Sequence, residues 1–300
     1  EGERTRVLIT GASGLLGRAV NHELQQHKDQ FETLGLCFSR QIEGLTQCDL
    51  TSIEDTLRIV TQSKPHLVVH CAAERRPDIV EKQPDRAKQL NDGATERLCQ
   101  LAEECGATML FISTDYVFDG KNPPYDEKSK PSPLNAYGES KVRCEQEVLR
   151  RRRNLVLRVP VLYGDTADVN ESAVTCLFAL VKAGVPCTID HIAKRYPTHC
   201  ADVANVVRHL SLRAGRIDGG VYHFSGNECL TKYEMCLAMG RVFGLSTDHV
   251  APQVEPDSSA TLRPVDARLS CQRLEATLGP EAVQRRSFEE GIRQCLAKFV

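Results

Sequence analysis

Short apolar runs alternate with longer amphipathic stretches through the first half of the sequence. The apolar runs lie at 6–10, 32–38, 66–73, 108–113 and 154–160, and the helical patterns between them lie at 14–27, 52–62, 86–105 and 135–152. The runs are rich in β-branched residues and apolar throughout, which is typical of parallel strands covered on both faces. Their alternation with helices predicts an α/β fold with a doubly wound parallel sheet.

The pattern changes after about residue 165, where helices predominate. We expect helices at 171–183, 201–213 and 231–243, isolated strands at 185–189 and 220–224, and a proline-rich stretch at 252–264. The prediction is therefore a Rossmann-type domain over 5–165 and a smaller α/β lobe, of the kind that binds substrate, over 166–300. The lobe should pack over the carboxyl edge of the sheet, with parts of 200–225 packing against the first domain.

The charge balance of the chain excludes a broad basic surface. The sequence has 38 Lys and Arg residues against 40 Asp and Glu residues, which gives a net charge of −2. Binding to a phosphate backbone needs a basic excess, so we expect no nucleic-acid partner. The run RRRR at 150–153 ends a helical pattern, where arginine meets the negative end of the helix dipole.

Thirteen cysteines are scattered from Cys37 to Cys295 without a C-x-x-C pair. This distribution matches neither a disulfide framework nor a zinc site, and it predicts a reducing compartment and no metal. The sequence shows no charged-then-apolar leader and no apolar span of about 18 residues, the length that crosses a bilayer. We therefore expect a cytoplasmic protein that does not enter a membrane.

A glycine-rich stretch, ITGASGLLG, joins the first predicted strand to the first predicted helix. Gly11, Gly14 and Gly17 follow the spacing G-x-x-G-x-x-G. Glycine lets backbone N–H groups and the amino end of the helix approach a pyrophosphate, because no Cβ intervenes. Glycines also form structural turns, but their position directly after the first strand predicts a dinucleotide site.

The end of the second predicted strand indicates which nicotinamide cofactor binds. An acidic residue there would hydrogen-bond the ribose 2′-hydroxyl and repel a 2′-phosphate. The sequence instead reads CFSR, which supplies Ser39 and Arg40 and no carboxylate. NADP is therefore predicted, with Arg40 binding the 2′-phosphate, although an exposed loop arginine would give the same pattern. Asp49 lies where it would meet the adenine amine, or alternatively cap a helix ahead of Ser52.

Tyr137 and Lys141 lie four positions apart in the stretch YGESK of a predicted helix. This spacing puts both side chains on one helix face, where the lysine charge is expected to lower the pKa of the phenol. A tyrosine tuned in this way is suited to proton transfer near neutral pH. The stretch STDYVFDG at 113–120 follows the fifth predicted strand, so Ser113 or Thr114 offers a hydroxyl at the same edge of the sheet.

Together, GASGLLG at 11–17, STDYVFDG and YGESK resemble the extended short-chain dehydrogenase/reductase family. In that family the tyrosine is the acid or base, the lysine tunes it and orients the nicotinamide ribose, and the hydroxyl residue holds the substrate oxygen. The resemblance implies these roles for Tyr137, Lys141 and Thr114. Dehydratases of the family carry the sequence T-D-E where this chain reads T-D-Y at 114–116. Tyr116 stands in place of the glutamate, so dehydration is not expected.

A closer resemblance covers nearly the whole chain. The stretches YVFDGKNPPY, PLNAYGESK and 263–275 resemble dTDP-4-dehydrorhamnose reductases. Residues 70–91, 194–204 and 221–235 are similar to the regulatory beta subunits of methionine adenosyltransferase, members of the same family that bind NADP. The resemblance implies an NADP site at Ser13, Gly14, Leu15, Leu16, Phe38, Ser39, Arg40, Asp49, Leu50, Cys71, Arg75, Tyr137 and Leu162. It also implies a partner, the catalytic alpha subunit that makes S-adenosylmethionine.

Some residues near this predicted site have a structural alternative. Arg75 and Arg76 are adjacent and cannot both face the same way on an extended stretch, and we assign the functional role to Arg75. Arg195 and His199 are expected to line a substrate pocket, although a hydrogen-bonded structural role suits His199 equally well. Cys71 is expected to be a small buried residue and not a nucleophile, because no obvious activating base is nearby.

These residues lead to two functional hypotheses. The first, which the more specific resemblance favours, is an NADP-binding regulatory subunit of methionine adenosyltransferase that modulates S-adenosylmethionine synthesis by the alpha subunit. The second is an NADPH-dependent reductase of a 4-keto sugar nucleotide. Thr114, Tyr137 and Lys141 do not decide between them, because the same polar groups hold the cofactor ribose whether or not hydride is transferred.

Overall fold

Strands and helices alternate along the chain in a computed structural model that describes residues 4–38, 42–257 and 261–300. The strands are β1 (Thr5–Thr10), β2 (Phe31–Cys37), β3 (Leu45–Gln47), β4 (Leu67–His70), β5 (Thr108–Thr114), β6 (Leu155–Val159), β7 (Leu162–Tyr163), β8 (Cys187–Asp190), β9 (Thr198–His199), β10 (Gly220–His223) and β11 (Val250–Gln253). The helices are α1 (Leu15–Gln25), α2 (Ile53–Ser63), α3 (Pro77–Lys82), α4 (Pro84–Lys88), α5 (Ala94–Glu104), α6 (Ala136–Leu149), α7 (Cys176–Ala183), α8 (Cys200–Arg213), α9 (Lys232–Phe243), α10 (Gln272–Leu278) and α11 (Phe288–Leu296). Ser39 and Arg40, predicted to lie beside the 2′-phosphate, fall outside the described residues.

Seven strands form one parallel sheet in the order β10-β6-β5-β4-β1-β2-β3. The chain moves outward from β1 to β3 and then restarts at β4, on the other side of β1. The strand order therefore reverses between β1 and β4, and the loops at their carboxyl ends diverge to leave a crevice. This topology confirms the predicted α/β fold with a Rossmann-type doubly wound sheet.

Helices cover both faces of the sheet, which explains why most residues of its central strands are apolar. On one face, α1 and α8 pack over side chains that include Ile9 and Leu157. On the other face, α2, α5 and α6 pack over side chains that include Leu8 and Val156. Leu8 and Ile9 are consecutive and belong to opposite cores, as the alternating side-chain directions of a strand require.

The second half of the chain contributes to both the sheet and a separate core. Helices α7, α9 and α11 enclose that core, where Phe178, Met239 and Phe288 are buried. The strand predicted as isolated at 220–224 is β10, which pairs with β6 at the edge of the main sheet, so that part of the prediction is wrong. Strand β8 pairs with β11, which begins in the sequence just before the proline-rich stretch. The division into 5–165 and 166–300 stays a prediction.

The predicted helix over 86–105 is interrupted. Helix α4 ends at Lys88, a π-helical turn occupies Gln89–Gly93, and α5 continues from Ala94. Such turns widen a helix locally and are often found at functional sites. This turn carries the buried Asn91, which contacts the loop after β4.

A buried ion pair joins helix α6 to the sheet. The side chains of Glu145 in α6 and Arg158 in β6 are each 3% exposed, and the guanidinium donates to both carboxylate oxygens, over 2.6 and 2.9 Å. The Ser113 hydroxyl at the end of β5 also donates to Glu145. Arg158 Nη1 lies 3.2 Å from Nε2 of His223 in β10. Burial and the neighbouring Arg158 charge lower the pKa of this histidine to about 3, which keeps its imidazole neutral. The network ties α6 to three strands.

Removing one partner of this ion pair is expected to destabilise the fold far more than removing both. In Glu145→Leu the Arg158 guanidinium stays buried without a counter-charge, and we expect the free energy of unfolding to fall by about 3–5 kcal/mol. The double variant Glu145→Leu/Arg158→Met should recover most of that loss, because no charge remains buried. Urea unfolding measures both values. Exposed ion pairs contribute less than about 1 kcal/mol to the free energy of unfolding. A loss of that size in Glu145→Leu would contradict the role of this pair as a buried anchor of α6.

Candidate functional site

A cavity of about 1150 Å³ runs along the carboxyl edge of the sheet. The loops after β1, β4, β5 and β6 line one side, and residues from the second half of the chain, including Ala193 and Met235, line the other. The cavity therefore includes the crevice at the reversal of strand order, where open α/β sheets bind their ligands.

The glycine-rich turn after β1 is packed too tightly to accept larger residues. Gly11 has φ +66°, and a Cβ there would lie 2.8 Å from the backbone N of Ala72 in the loop after β4. A Cβ on Gly17 would lie 2.0 Å from the carbonyl O of Gly11. Gly14 is the N-cap of α1 and offers no side-chain cap, so the amino end of the helix is suited to an anion such as a pyrophosphate. The cavity is lined here by the predicted residues Gly11, Ser13, Gly14, Leu15, Leu16 and Gly17.

Phe38, Asp49 and Leu50 line the end of the cavity beside β2 and β3. Asp49 does not cap α2, because Ser52 does so by accepting a hydrogen bond from the first turn of that helix. Asp49 Oδ1 instead accepts from the backbone N and the hydroxyl of Thr51, over 2.8 and 2.7 Å. The alternative of a helix cap is therefore wrong, and the carboxylate stays at the wall where an adenine contact was predicted.

Strand β5 ends with two hydroxyl side chains that have different partners. Ser113 donates to Glu145 inside the ion-pair network. The Thr114 hydroxyl donates to the Asp115 carboxylate over 3.1 Å and lies close enough to Tyr137 to affect the pKa of its phenol. Of the two hydroxyls that the sequence offered, Thr114 is the one that lies beside the tyrosine.

Helix α6 begins at the mouth of the cavity because Asn135 caps it, accepting from the backbone N of Gly138 over 2.9 Å. A Cβ on Gly138 would lie 2.3 Å from the carbonyl O of Tyr116, so the helix packs directly on the loop after β5. Tyr137 and Lys141 follow on the inward face, at 8% and 5% exposure, and both line the cavity.

The expected lowering of the Tyr137 pKa is wrong for this structure. Burial raises the pKa of the phenol above its ordinary value, and the nearby Thr114 hydroxyl opposes this only in part. The Lys141 ammonium donates to the carbonyl O of Ile112 over 2.9 Å, and burial lowers its own pKa. Tyr137 therefore holds its proton at neutral pH.

Asp115 is a buried carboxylate that the sequence analysis did not single out. Burial raises its pKa to about 6, against the attraction of the nearby Arg195 guanidinium. Arg195 lines the far part of the cavity, and its Nη1 donates to the carbonyl O of Pro264 over 2.8 Å. Lys232 and Arg263 line the same part. Asp115, Lys232 and Arg263 all lie in the stretches that carry the family resemblance. That resemblance is the sequence feature that could have indicated them as residues of the cavity.

The other predicted residues divide between the cavity and the core. Cys71 and Leu162 line the cavity, and burial raises the pKa of the Cys71 thiol to about 12, which keeps it protonated. His199 does not line it: its Nδ1 accepts from the backbone N of Ala201 over 3.1 Å and caps α8. The structural alternative for His199 therefore holds.

The adjacent arginines after β4 have different partners. Arg76 donates two hydrogen bonds to the Glu74 carboxylate, and its side chain is 65% exposed. Arg75 Nη2 donates to the backbone carbonyl O of Glu171, on the opposite side of the cleft. Asn91 holds this loop by bonding both the N and the O of Glu74, over 2.9 and 3.2 Å.

Among residues 4–38, 42–257 and 261–300, we find no group of three or more His, Cys, Asp or Glu side chains placed to hold a metal ion. Within the same ranges, every helix is too short or too polar to cross a membrane.

Comparisons with known proteins identify the family. A family model described as the RmlD substrate binding domain matches residues 5–300. The chain is 45% identical over 300 residues to methionine adenosyltransferase 2 subunit beta of Mus musculus, covering 98% of this chain and 88% of that protein. It is 30% identical to dTDP-4-dehydrorhamnose reductase of Aggregatibacter actinomycetemcomitans, covering 78% of each.

Among solved structures, dTDP-4-dehydrorhamnose reductase from Bacillus anthracis in complex with NADP aligns with a TM-score of 0.84 and 27% identity, covering 99% of both chains. The described structure therefore shares the fold of this reductase over nearly its whole length. The chain therefore belongs to the RmlD substrate binding domain family and, within it, is related to the methionine adenosyltransferase 2 beta subunits.

Proposed function

We propose that this protein is an NADP-binding regulatory beta subunit of methionine adenosyltransferase, which modulates S-adenosylmethionine synthesis by the catalytic alpha subunit. The observation that carries the proposal is the 45% identity to a protein named as such a subunit, extending over 98% of this chain. The 13 free cysteines are compatible with a reducing environment, and we propose a cytoplasmic location.

The geometry of the cavity supports NADP as the cofactor. The turn at Gly11, Gly14 and Gly17 would hold the pyrophosphate, while Tyr137 and Lys141 would hold the nicotinamide ribose. The adenosine would lie against Phe38, Asp49 and Leu50, and Cys71, Arg75 and Leu162 would line the nicotinamide half. The contact of Ser39 and Arg40 with the 2′-phosphate is proposed from the sequence alone. When bound, NADP(H) supplies the chemistry of hydride transfer.

A regulatory subunit would bind NADP at this site without transferring hydride. A ligand that binds only the folded protein stabilises it by mass action, and by about 2.7 kcal/mol at a concentration of 100 Kd. The cleft is built from loops of both halves of the chain, so an occupied cleft also fixes the surface that these loops present. We propose that NADP stabilises the surface that docks on the alpha subunit.

A second candidate function is the NADPH-dependent reduction of a 4-keto sugar nucleotide. The observation that favours it is the intact arrangement of Thr114, Tyr137 and Lys141 in a family that includes a reductase 30% identical to this chain. Thr114 would hold the substrate carbonyl oxygen, and Tyr137 would give it a proton. Arg195, Lys232 and Arg263 would then face the anionic part of the nucleotide.

Association with the alpha subunit is the first test. We expect this chain to bind the purified alpha subunit saturably and to change its kinetics, with tighter association when NADP is present, because the cofactor stabilises the docking surface. A titration that follows association and methionine adenosyltransferase kinetics together, with and without NADP, measures this. Tight NADP binding without association in any buffer would refute the regulatory function.

The reductase candidate makes a separate prediction. If the chain reduces a 4-keto sugar nucleotide, Tyr137→Phe should slow NADPH consumption by about 10²–10⁴-fold, because the proton donor is lost. Loss of NADPH absorbance after adding such a substrate measures turnover, and thermal unfolding of the variant serves as the folding control. Absence of turnover in the unchanged protein, or turnover unaffected by the substitution, would argue against this candidate.

The choice of NADP over NAD is predicted to depend on Arg40. Arg40→Ala should weaken NADP binding by about 1.5–3 kcal/mol, the usual value of a hydrogen bond to a charged group. NAD, which lacks the 2′-phosphate, is the internal control and should bind the variant and the unchanged protein equally. Calorimetric titration with both dinucleotides measures the difference. Equal losses for NADP and NAD would show that Arg40 is not the 2′-phosphate contact.

A further inference from the structure

The segment 164–173, between β7 and α7, lies next to the cofactor cleft and reaches it at Ala173. Leu162 just before the segment and Ala173 at its end both line the cavity, so the segment lies beside the ligand space. The Ser172 hydroxyl ties it to the carbonyl O of Leu162 over 2.8 Å. Glu171, near its end, makes the contacts that reach across to the first half of the chain.

The Glu171 carboxylate is bound by Arg18 in the first turn of α1. Arg18 Nη1 and Nη2 each donate to one carboxylate oxygen over 2.7 Å, and the Thr166 hydroxyl donates to Oε2 over 2.6 Å. Although burial raises the pKa of Glu171, the bonds from Arg18 and Thr166 hold it below its ordinary value. Such a two-point arginine–carboxylate pair fixes geometry as well as charge.

Arg18 also supports the glycine-rich turn. Its Nη1 donates to the carbonyl O of Ser13 over 2.7 Å, and its Nη2 lies 3.3 Å from the carbonyl O of Asp165. The same guanidinium therefore contacts the turn that would hold the pyrophosphate and both ends of the 164–173 segment. The side chains of Arg18 and Glu171 are 35% and 24% exposed, so water screens the pair only in part.

Arg75 makes the second contact with Glu171 and leaves its own charge available. Its Nη2 donates to the backbone carbonyl of Glu171, which is a neutral acceptor. Within the described ranges Arg75 forms no ion pair, and it lines the cavity. Arg75 is thus held at the cleft by Glu171 while its positive charge can still meet an anionic ligand.

We propose that Arg18 and Glu171 are positioning residues of the cofactor site, which hold the 164–173 segment, the glycine-rich turn and Arg75 in the arrangement that binds NADP. Neither residue lines the cavity, so both act through the groups that they hold. The intact pair slows cofactor release, because it keeps the glycine-rich turn and Arg75 in the positions that contact the dinucleotide. This inference rests on the proposed NADP binding.

The test compares cofactor release in variants that keep the size of each side chain. In Glu171→Gln the Thr166 contact is retained but the charge is lost, and we expect NADPH dissociation to become about three- to tenfold faster and Kd to rise in proportion. Arg18→Lys loses the two-point geometry and should act in the same direction. Glu289→Gln is the matched control, since it removes the exposed Arg241–Glu289 pair far from the cleft, and should leave both values unchanged.

Stopped-flow displacement of bound NADPH, followed by its fluorescence, measures the dissociation rate, and thermal unfolding without cofactor measures stability. If the two residues act together, Glu171→Gln combined with Arg18→Lys should release NADPH no faster than the more affected single variant.

Release rates and Kd within twofold of the unchanged protein, with a lowered Tm, would assign the pair a purely structural role and overturn the proposal. Tighter binding in Glu171→Gln would also overturn it, since Glu171 would then compete with the cofactor. Failure of the unchanged protein to bind NADPH would instead overturn the cofactor assignment, and this inference with it.

Discussion

The buried pair between Glu145 and Arg158 fixes the helix on which the candidate site depends. Tyr137, Lys141 and Glu145 follow one another at intervals of one turn on the inward face of α6, and Glu145 carries the charged contact that joins this face to β6. A helix anchored in this way cannot rotate or slide without leaving a buried charge unpaired, which costs several kcal/mol. The positions of the phenol and the ammonium over the end of β5 therefore depend on an ion pair outside the cleft.

The sheet was largely predictable because its signals are local. Most side chains of β1, β4 and β6 are apolar on both faces of the sheet, and each strand is followed by turn or helix signals within a few residues. Strand β10 was misread as isolated because its partner β6 lies far earlier in the chain: Arg158 and His223 are 65 positions apart. The short strand β3 has only three residues, too few for a periodic pattern.

For the candidate site, too, only the features that depend on residues near in sequence could be predicted. Local spacing was sufficient to predict the glycine-rich turn and the shared helix face of Tyr137 and Lys141. It could not predict the direction of the Tyr137 pKa, because that is set chiefly by the burial of the phenol in the folded chain. Nor could it pair Arg18 with Glu171, which are 153 positions apart and meet only once both halves of the chain have folded.

The close approach of Gly11 to Ala72 has a consequence for the evolution of this fold. The turn after β1 and the loop after β4 meet with no space for an added methylene, since a Cβ on Gly11 would already lie 2.8 Å from the backbone of Ala72. A protein that stopped transferring hydride would still need this contact to join its first and fourth strands. The glycine and its small neighbour should therefore persist among descendants long after selection for turnover has ended, so their presence reports packing and not catalysis.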